Sequence, residues 1–97
     1  MTALWKWGGE FFGYWQGECL WTHDGRHVGR FQGDLIFGPD GRYLGEVRNK
    51  NRLITNRNAR SRRASSFMPY ATRVGTVAYV GYVGYVMIVG YEDFPTL

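Results

Sequence analysis

Cysteine and proline are scarce in this 97-residue chain, which has one cysteine and three prolines. Because Cys19 has no second cysteine, neither an intrachain disulfide nor a cysteine metal cluster can form, which fits a reducing compartment. The first residues lack a basic leader followed by an apolar run, so we expect no signal peptide and a cytoplasmic location. At 11.2 kDa the chain is too short for a two-domain enzyme with a cleft between its halves.

Histidine is also scarce, and the residues of common catalytic sites do not occur at recognisable spacing. His23 and His27 are the only histidines. They flank a predicted Asp-Gly turn, where we expect them at the surface, and no further ligand completes a zinc site. No glycine-rich phosphate loop ends in Lys-Ser/Thr, and no nucleophile is paired with a base. We therefore expect no enzyme, cofactor, metal or small-molecule substrate; a hydrolase would need a pocket lined by His23, Asp24 and His27.

Charge is distributed unevenly along the chain, whose formal net charge is +4. Basic minus acidic residues give 4 − 6 = −2 for residues 1–47, 8 − 0 = +8 for 48–73 and 0 − 2 = −2 for 74–97. The segment 48–63 could contact nucleic-acid phosphates, or form solvated turns on an acidic body. The candidate contact residues are its seven cations: Arg48, Lys50, Arg52, Arg57, Arg60, Arg62 and Arg63.

Glycine and aromatic residues are abundant, with 14 glycines and 18% aromatics, and they recur every sixteen positions. Trp5, Trp21 and Phe37 form one such series, and the series of Gly9 and Gly13 are phased with it. The repeat predicts an all-β body over residues 1–66, made of tandem two-stranded hairpin units. The predicted units are 5–20, 21–36, 37–54 and 55–66, the last of them degraded.

Glycines have two predicted roles in each unit. Asp24-Gly25 and Asp40-Gly41 are typical of two-residue hairpin turns, because Asp and Gly both tolerate positive φ. The glycines of the Gly13 series, also sixteen apart, lie within the predicted strands, where glycine is unfavourable. Their recurrence indicates that a ring or a backbone segment of the next unit lies against them.

The phased pattern is similar to that of a known family. W/F-x-x-D-G-R-x-φ-G spacing, in which φ is a bulky residue, occurs at Trp21–Phe31 and Phe37–Val47, and weaker copies occur at Trp5–Trp15 and Thr55–Ala64. This pattern resembles the bacterial four-fold β-flower proteins, and the ending Gly90-Tyr91-Glu92-Asp93-Phe94 shares some of it. The resemblance implies four short β petals around a pseudo-four-fold axis, in a family without an assigned activity. Thr55 and Arg63 depart from the pattern in the fourth unit.

The predicted tail, residues 67–97, is organised in threes from Gly75 onward, with glycine, tyrosine and valine each in a separate phase. A period of three fits polyproline II, although the β-forming residues keep an edge strand as the alternative. Because polyproline II has no internal hydrogen bonds, the tail needs partners on the body or on another chain. The predicted partner contacts are Tyr79, Tyr82, Tyr85, Val80, Val83 and Val86.

The uncharged run 74–91 is long enough to cross a membrane, but four glycines and four dispersed tyrosines argue against a span. Exposed tyrosines and valines instead favour contact with a protein partner or with a second copy. The sequence thus predicts a non-catalytic structural or protein-interaction module. The alternative is a nucleic-acid-binding protein that uses segment 48–63.

Overall fold

The computed structural model describes residues 1–75 and 78–97, and the protein is all-β, as the repeat predicts. The strands are β1 Thr2–Lys6, β2 Phe11–Gln16, β3 Cys19–Thr22, β4 His27–Gln32, β5 Leu35–Phe37, β6 Tyr43–Arg48, β7 Arg52–Asn56 and β8 Tyr91–Asp93. A 3₁₀ turn, Arg57–Ala59, follows β7. No helix within the described residues is long and apolar enough to cross a membrane.

Two alternating kinds of loop connect the first six strands. The two-residue loops are Gly17-Glu18 and Gly33-Asp34, where glycine at φ +60° and +62° fits a type II′ turn. The Asp-Gly pairs lie in longer loops, so their prediction as two-residue turns was wrong. In the second unit the Gly25 N–H donates to the Thr22 carbonyl at 3.0 Å, and only Gly25 of the Asp-Gly pair has positive φ.

The hairpins close into a seven-stranded barrel. Neighbours pair antiparallel from β1 to β7, and β1 then pairs parallel with β7 through Trp5↔Arg52 and Lys6↔Leu53. Around this pairing the Trp7 N–H donates to the Leu53 carbonyl at 2.9 Å. Closure pairs β1 with β7, whose facing edges would stay free in an open meander of hairpins.

The core repeats with the strands. Leu4, Leu20 and Ile36 are sixteen positions apart, fully buried and part of one hydrophobic cluster, which also contains Leu53 and Phe94. Burying each such side chain contributes about 1.5–3 kcal/mol. Phe94 enters this cluster from beyond β8, so the end of the tail is part of the barrel core.

Two of the three mid-strand glycines, Gly13 and Gly45, are needed for close packing, as predicted. A Cβ atom at Gly29, in contrast, would first meet the Ile36 side chain of its own unit, at 3.0 Å. A side chain at Gly13 would collide with the backbone of Trp21, which belongs to the next unit. At Gly45 it would collide with the Ile54 carbonyl and with the Phe94 ring. These positions exclude larger residues because a neighbouring backbone segment or ring occupies the space of a Cβ atom.

The fourth hairpin is built differently from the range 55–66 predicted for it. Within that range only Thr55 and Asn56 lie in a strand, and Arg63 forms an isolated bridge with Arg42. The second strand is β8, which pairs with β7 through Ile54, Thr55 and Asn56. The physical reason is local, because the 55–66 range has no glycine to make the turn, whereas Gly90, at φ +86°, directly precedes β8.

Candidate interaction surface

A long segment between β7 and β8 crosses three hairpins of the barrel. We call residues 64–75 and 78–89 the strap; none of them lies in a helix or a strand. The edge-strand alternative is therefore not found in this part of the chain. The strap runs from the third hairpin to the first, opposite to the order of the units in the sequence.

The strap meets an equivalent turn glycine once every nine residues. Three strap N–H groups donate to glycine carbonyl oxygens: Ala64 to Gly41 at 2.9 Å, Arg73 to Gly25 at 2.8 Å and Tyr82 to Gly9 at 2.9 Å. A Cβ atom on any of these glycines would collide with the carbonyl oxygen of the same strap residue. A nine-residue spacing in the strap is thus matched to the sixteen-residue spacing of the barrel.

The tyrosine phase of the strap packs against aromatic residues of the first hairpin. Tyr82 stacks on Trp5 with ring centroids 4.3 Å apart, and Tyr79 lies 5.0 Å from Phe11. Tyr85 lies 4.8 Å from the Trp7 ring. These tyrosines stay about half exposed, so each has one face on the barrel and one face toward solvent.

The strap carbonyls of the valine phase accept hydrogen bonds from barrel side chains. The donors are Trp5 Nε1 to Val80 at 3.0 Å, Arg52 to Val83 at 2.8 Å and Trp7 Nε1 to Val86 at 3.0 Å. Together with the N–H bonds of Tyr82 and Tyr85, they supply the backbone partners that an extended segment requires.

The glycine and valine phases of the strap lie on its two other faces. A side chain at Gly81 or Gly84 would press against the Gly9 or Gly8 carbonyl, so the glycine phase faces the barrel backbone. The valine side chains point away, and Val80, Val83 and Val86 are 87%, 84% and 92% exposed. The predicted partner-contact set therefore divides into tyrosines that hold the strap and valines that face outward.

Arg52 is buried, so its prediction as a nucleic-acid contact was wrong. Its side chain is 3% exposed, donates to the Trp7 and Val83 carbonyls and lies 4.2 Å from the centre of the Tyr85 ring. No carboxylate forms an ion pair with it within residues 1–75 and 78–97. Arg52 instead fixes the strap to the start of β7.

The other six cations of segment 48–63 are exposed but do not form a single row. Lys50 lies in the loop before β7, and the cluster from Arg57 to Arg63 follows the opposite end of that strand. Arg48 lies over the Tyr91 ring, and Arg60 pairs with Glu92. A groove of about 540 Å³ beside β8 is lined in part by Arg42, Arg60 and Arg63.

His23, Asp24 and His27, the residues that a hydrolase would need, do not line one shared pocket. His27 was predicted at the surface, but it is 7% exposed and both ring nitrogens are hydrogen-bonded. Asp24 bonds to Thr22 and Arg26, and its pKa lies below the ordinary value because the Thr22 hydroxyl donates to it and Arg26 is close. Within the described part of the chain, no three His, Cys, Asp or Glu side chains are grouped to hold a metal ion.

Cys19 is half-buried, and burial raises the pKa of its thiol. A raised thiol pKa leaves little reactive thiolate at neutral pH. The structure thus gives Cys19 the environment of a small packing residue.

The nine-residue spacing of the strap was missed in the sequence. Tyr70-x-x-Arg73-x-Gly75 and Tyr79-x-x-Tyr82-x-Gly84 are two copies of one pattern. Tyr70 stacks near Trp21 as Tyr79 lies near Trp5. Because nine is a multiple of three, the triplet period of the tail hides this longer spacing in the sequence.

Comparisons of this chain with protein-family models, with curated proteins and with solved structures find no match. The resemblance to the four-fold β-flower proteins therefore stays a prediction from the repeat pattern.

Proposed function

We propose that this protein is a non-catalytic protein-interaction module of the four-fold β-flower type, and that it contacts its partner through the outer valines of the strap. The observation that carries the proposal is the row Val80, Val83 and Val86, each more than four-fifths exposed on a segment whose other two phases bind the barrel. Apolar side chains exposed in a contiguous row are typical of interaction surfaces.

The docked strap presents this row with little conformational freedom. The carbonyls of all three valines are hydrogen-bonded to the barrel, which restricts the backbone before any partner arrives. Ordering a flexible segment on binding costs free energy, so a surface that is already ordered binds more tightly. The uncharged segment 74–91 favours an apolar partner surface or a second copy of the chain.

The test replaces Val80, Val83 and Val86 together by threonine, which keeps the side-chain shape and exchanges one methyl group for a hydroxyl. Met68, 88% exposed on the same phase of the strap but outside the row, provides the matched control Met68→Gln. We expect the triple variant to lose self-association in sedimentation velocity, or partner capture by the purified protein, while the control keeps it. Unchanged association of the triple variant would refute the valine row as the contact.

The second candidate function is nucleic-acid binding through the exposed cations after β7. The observation that favours it is that Arg57 and Arg62 form no ion pair with a described carboxylate, unlike Arg60. We expect binding to fall steeply with salt if these cations contact phosphates. A gel shift with the Arg57→Gln/Arg62→Gln variant tests the idea, and wild-type protein that shows no shift at low salt excludes it.

We also propose a cytoplasmic location. Its support is the single half-buried Cys19, which fits a reducing compartment. Fractionation of cells that express the tagged protein tests this location directly.

A further inference from the structure

His27 lies on the second hairpin, beneath residues 67–70 of the strap. Its ring centroid lies 5.1 Å from those of Trp21 and Phe67 and 5.2 Å from that of Tyr70. Two of these rings, Phe67 and Tyr70, belong to the strap. The imidazole thus forms part of the surface on which the strap rests.

The hydrogen bonds of His27 fix its protonation state. The Tyr70 backbone N–H donates to Nδ1 at 3.0 Å, so Nδ1 must be an unprotonated acceptor. Nε2 lies 3.0 Å from the Gly29 carbonyl oxygen, which can only accept, so Nε2 carries the proton. The docked strap therefore requires a neutral ring with its proton on Nε2.

A second proton on this ring would meet several unfavourable contacts. It would occupy Nδ1, which points at the Tyr70 N–H, and would place a positive charge near Arg30 and Arg73. Burial, opposed by the Gly29 hydrogen bond and aided by these two cations, lowers the pKa of His27. The titratable and charged groups around the ring are Cys19 on β3, Glu18 in the loop before it, Arg30 on β4, Tyr70 and Arg73 on the strap, and Asp40 and Arg42 near β6.

We propose that His27 is a proton-operated latch, in which protonation of Nδ1 releases the strap around Tyr70 from the second hairpin. The first hairpin shows why the release is local. Phe11 occupies the position equivalent to His27, sixteen residues earlier, and Tyr79 packs on it without a titratable acceptor. Acid therefore loosens the strap at one of its three crossings, while the contacts of Tyr82 persist.

The direction follows from linkage between protonation and docking. Docking of this crossing is at full strength above the ordinary histidine pKa of about 6.5 and weakens as the pH falls below it. Because one proton is bound on release, the docked-to-released ratio falls by about tenfold for each pH unit, until the lowered pKa of docked His27 is reached.

Amide hydrogen exchange measured by NMR on the full chain tests the latch. Between about pH 7.5 and about pH 5, where carboxylates stay ionised, we expect the protection of the Tyr70 amide to fall by up to about tenfold per pH unit after correction for intrinsic exchange. The Tyr82 amide, which donates to the Gly9 carbonyl, is the internal reference and should change little.

Two variants separate His27 from other causes. His27→Phe copies the residue of the first hairpin and should remove the pH dependence at Tyr70. His23→Gln replaces the only other histidine and should preserve it. The latch is wrong if Tyr70 protection is constant with pH or falls in parallel with that of Tyr82, or if His27→Phe retains the dependence. If His27→Phe does not fold, an NMR pH titration of the His27 ring in the wild-type protein decides. A titration midpoint above about pH 6.5 overturns the proposal.

Discussion

Gly25→Ala should weaken the attachment of the strap more than it strains the hairpin loop. Gly25 has φ +89°, where alanine costs about 1–2 kcal/mol. A Cβ atom there would also collide with the Arg73 carbonyl, so the strap must shift and lose the 2.8 Å bond from the Arg73 N–H. That bond contributes about 0.5–1.5 kcal/mol, and the Arg73 guanidinium 3.7 Å from the Trp21 ring centre adds a similar amount.

Gly33→Ala is the matched control, because Gly33 has φ +62° but no atom within 4 Å of the added Cβ. We expect Gly25→Ala to lower the free energy of unfolding by about 1–3 kcal/mol more than Gly33→Ala does. Urea unfolding gives both values, and hydrogen exchange of residues 67–75 shows whether the strap has loosened. Equal destabilisation with unchanged exchange would refute the reasoning, since loop strain would then account for the whole effect.

Three further substitutions test separate contacts by denaturant unfolding. Arg52→Lys loses the paired donors to two carbonyls and should destabilise by about 2 kcal/mol, whereas Arg57→Lys at the surface should stay within about 0.5 kcal/mol. Tyr82→Ala removes the stack on Trp5 and should lower the free energy of unfolding by about 1–2 kcal/mol. Val83→Ala, at the neighbouring exposed position, should lower it by less than about 0.5 kcal/mol. Phe94→Ala empties part of the core and should cost about 3–5 kcal/mol. A surface-like value for Arg52, Tyr82 or Phe94 would contradict the corresponding contact.

The tandem hairpins were predictable because their strands pair in the same way in successive units, whereas the closure of β1 on β7 was not predicted. Equal pairing requires equal spacing, so the sixteen-residue period of Leu20 and Gly25 is visible without coordinates. The loop type was less predictable. Asp24-Gly25 has the composition of a two-residue turn, but the Thr22–Gly25 hydrogen bond places it in a longer loop.

The strap contacts depend on residues too distant in sequence to be predicted. Arg52 belongs to a basic segment, and its burial follows from Val83 and Tyr85, which lie more than thirty positions away. The fourth hairpin departs from the repeat for a local reason, because residues 55–66 have no turn glycine, so β8 takes the place of the local strand that the repeat predicts. Composition gives the charge of a segment, whereas the fold determines which of its side chains are exposed.

The parallel pairing of β1 with β7 has a consequence for folding kinetics. Each antiparallel pair from β1 to β7 joins strands that are close in sequence, so it can form soon after its own residues leave the ribosome. Trp5, in contrast, has no partner on its second side until Arg52 has been synthesised. Loop closure over this separation is slow compared with hairpin formation, so closure of the ring between β1 and β7 should set the folding rate.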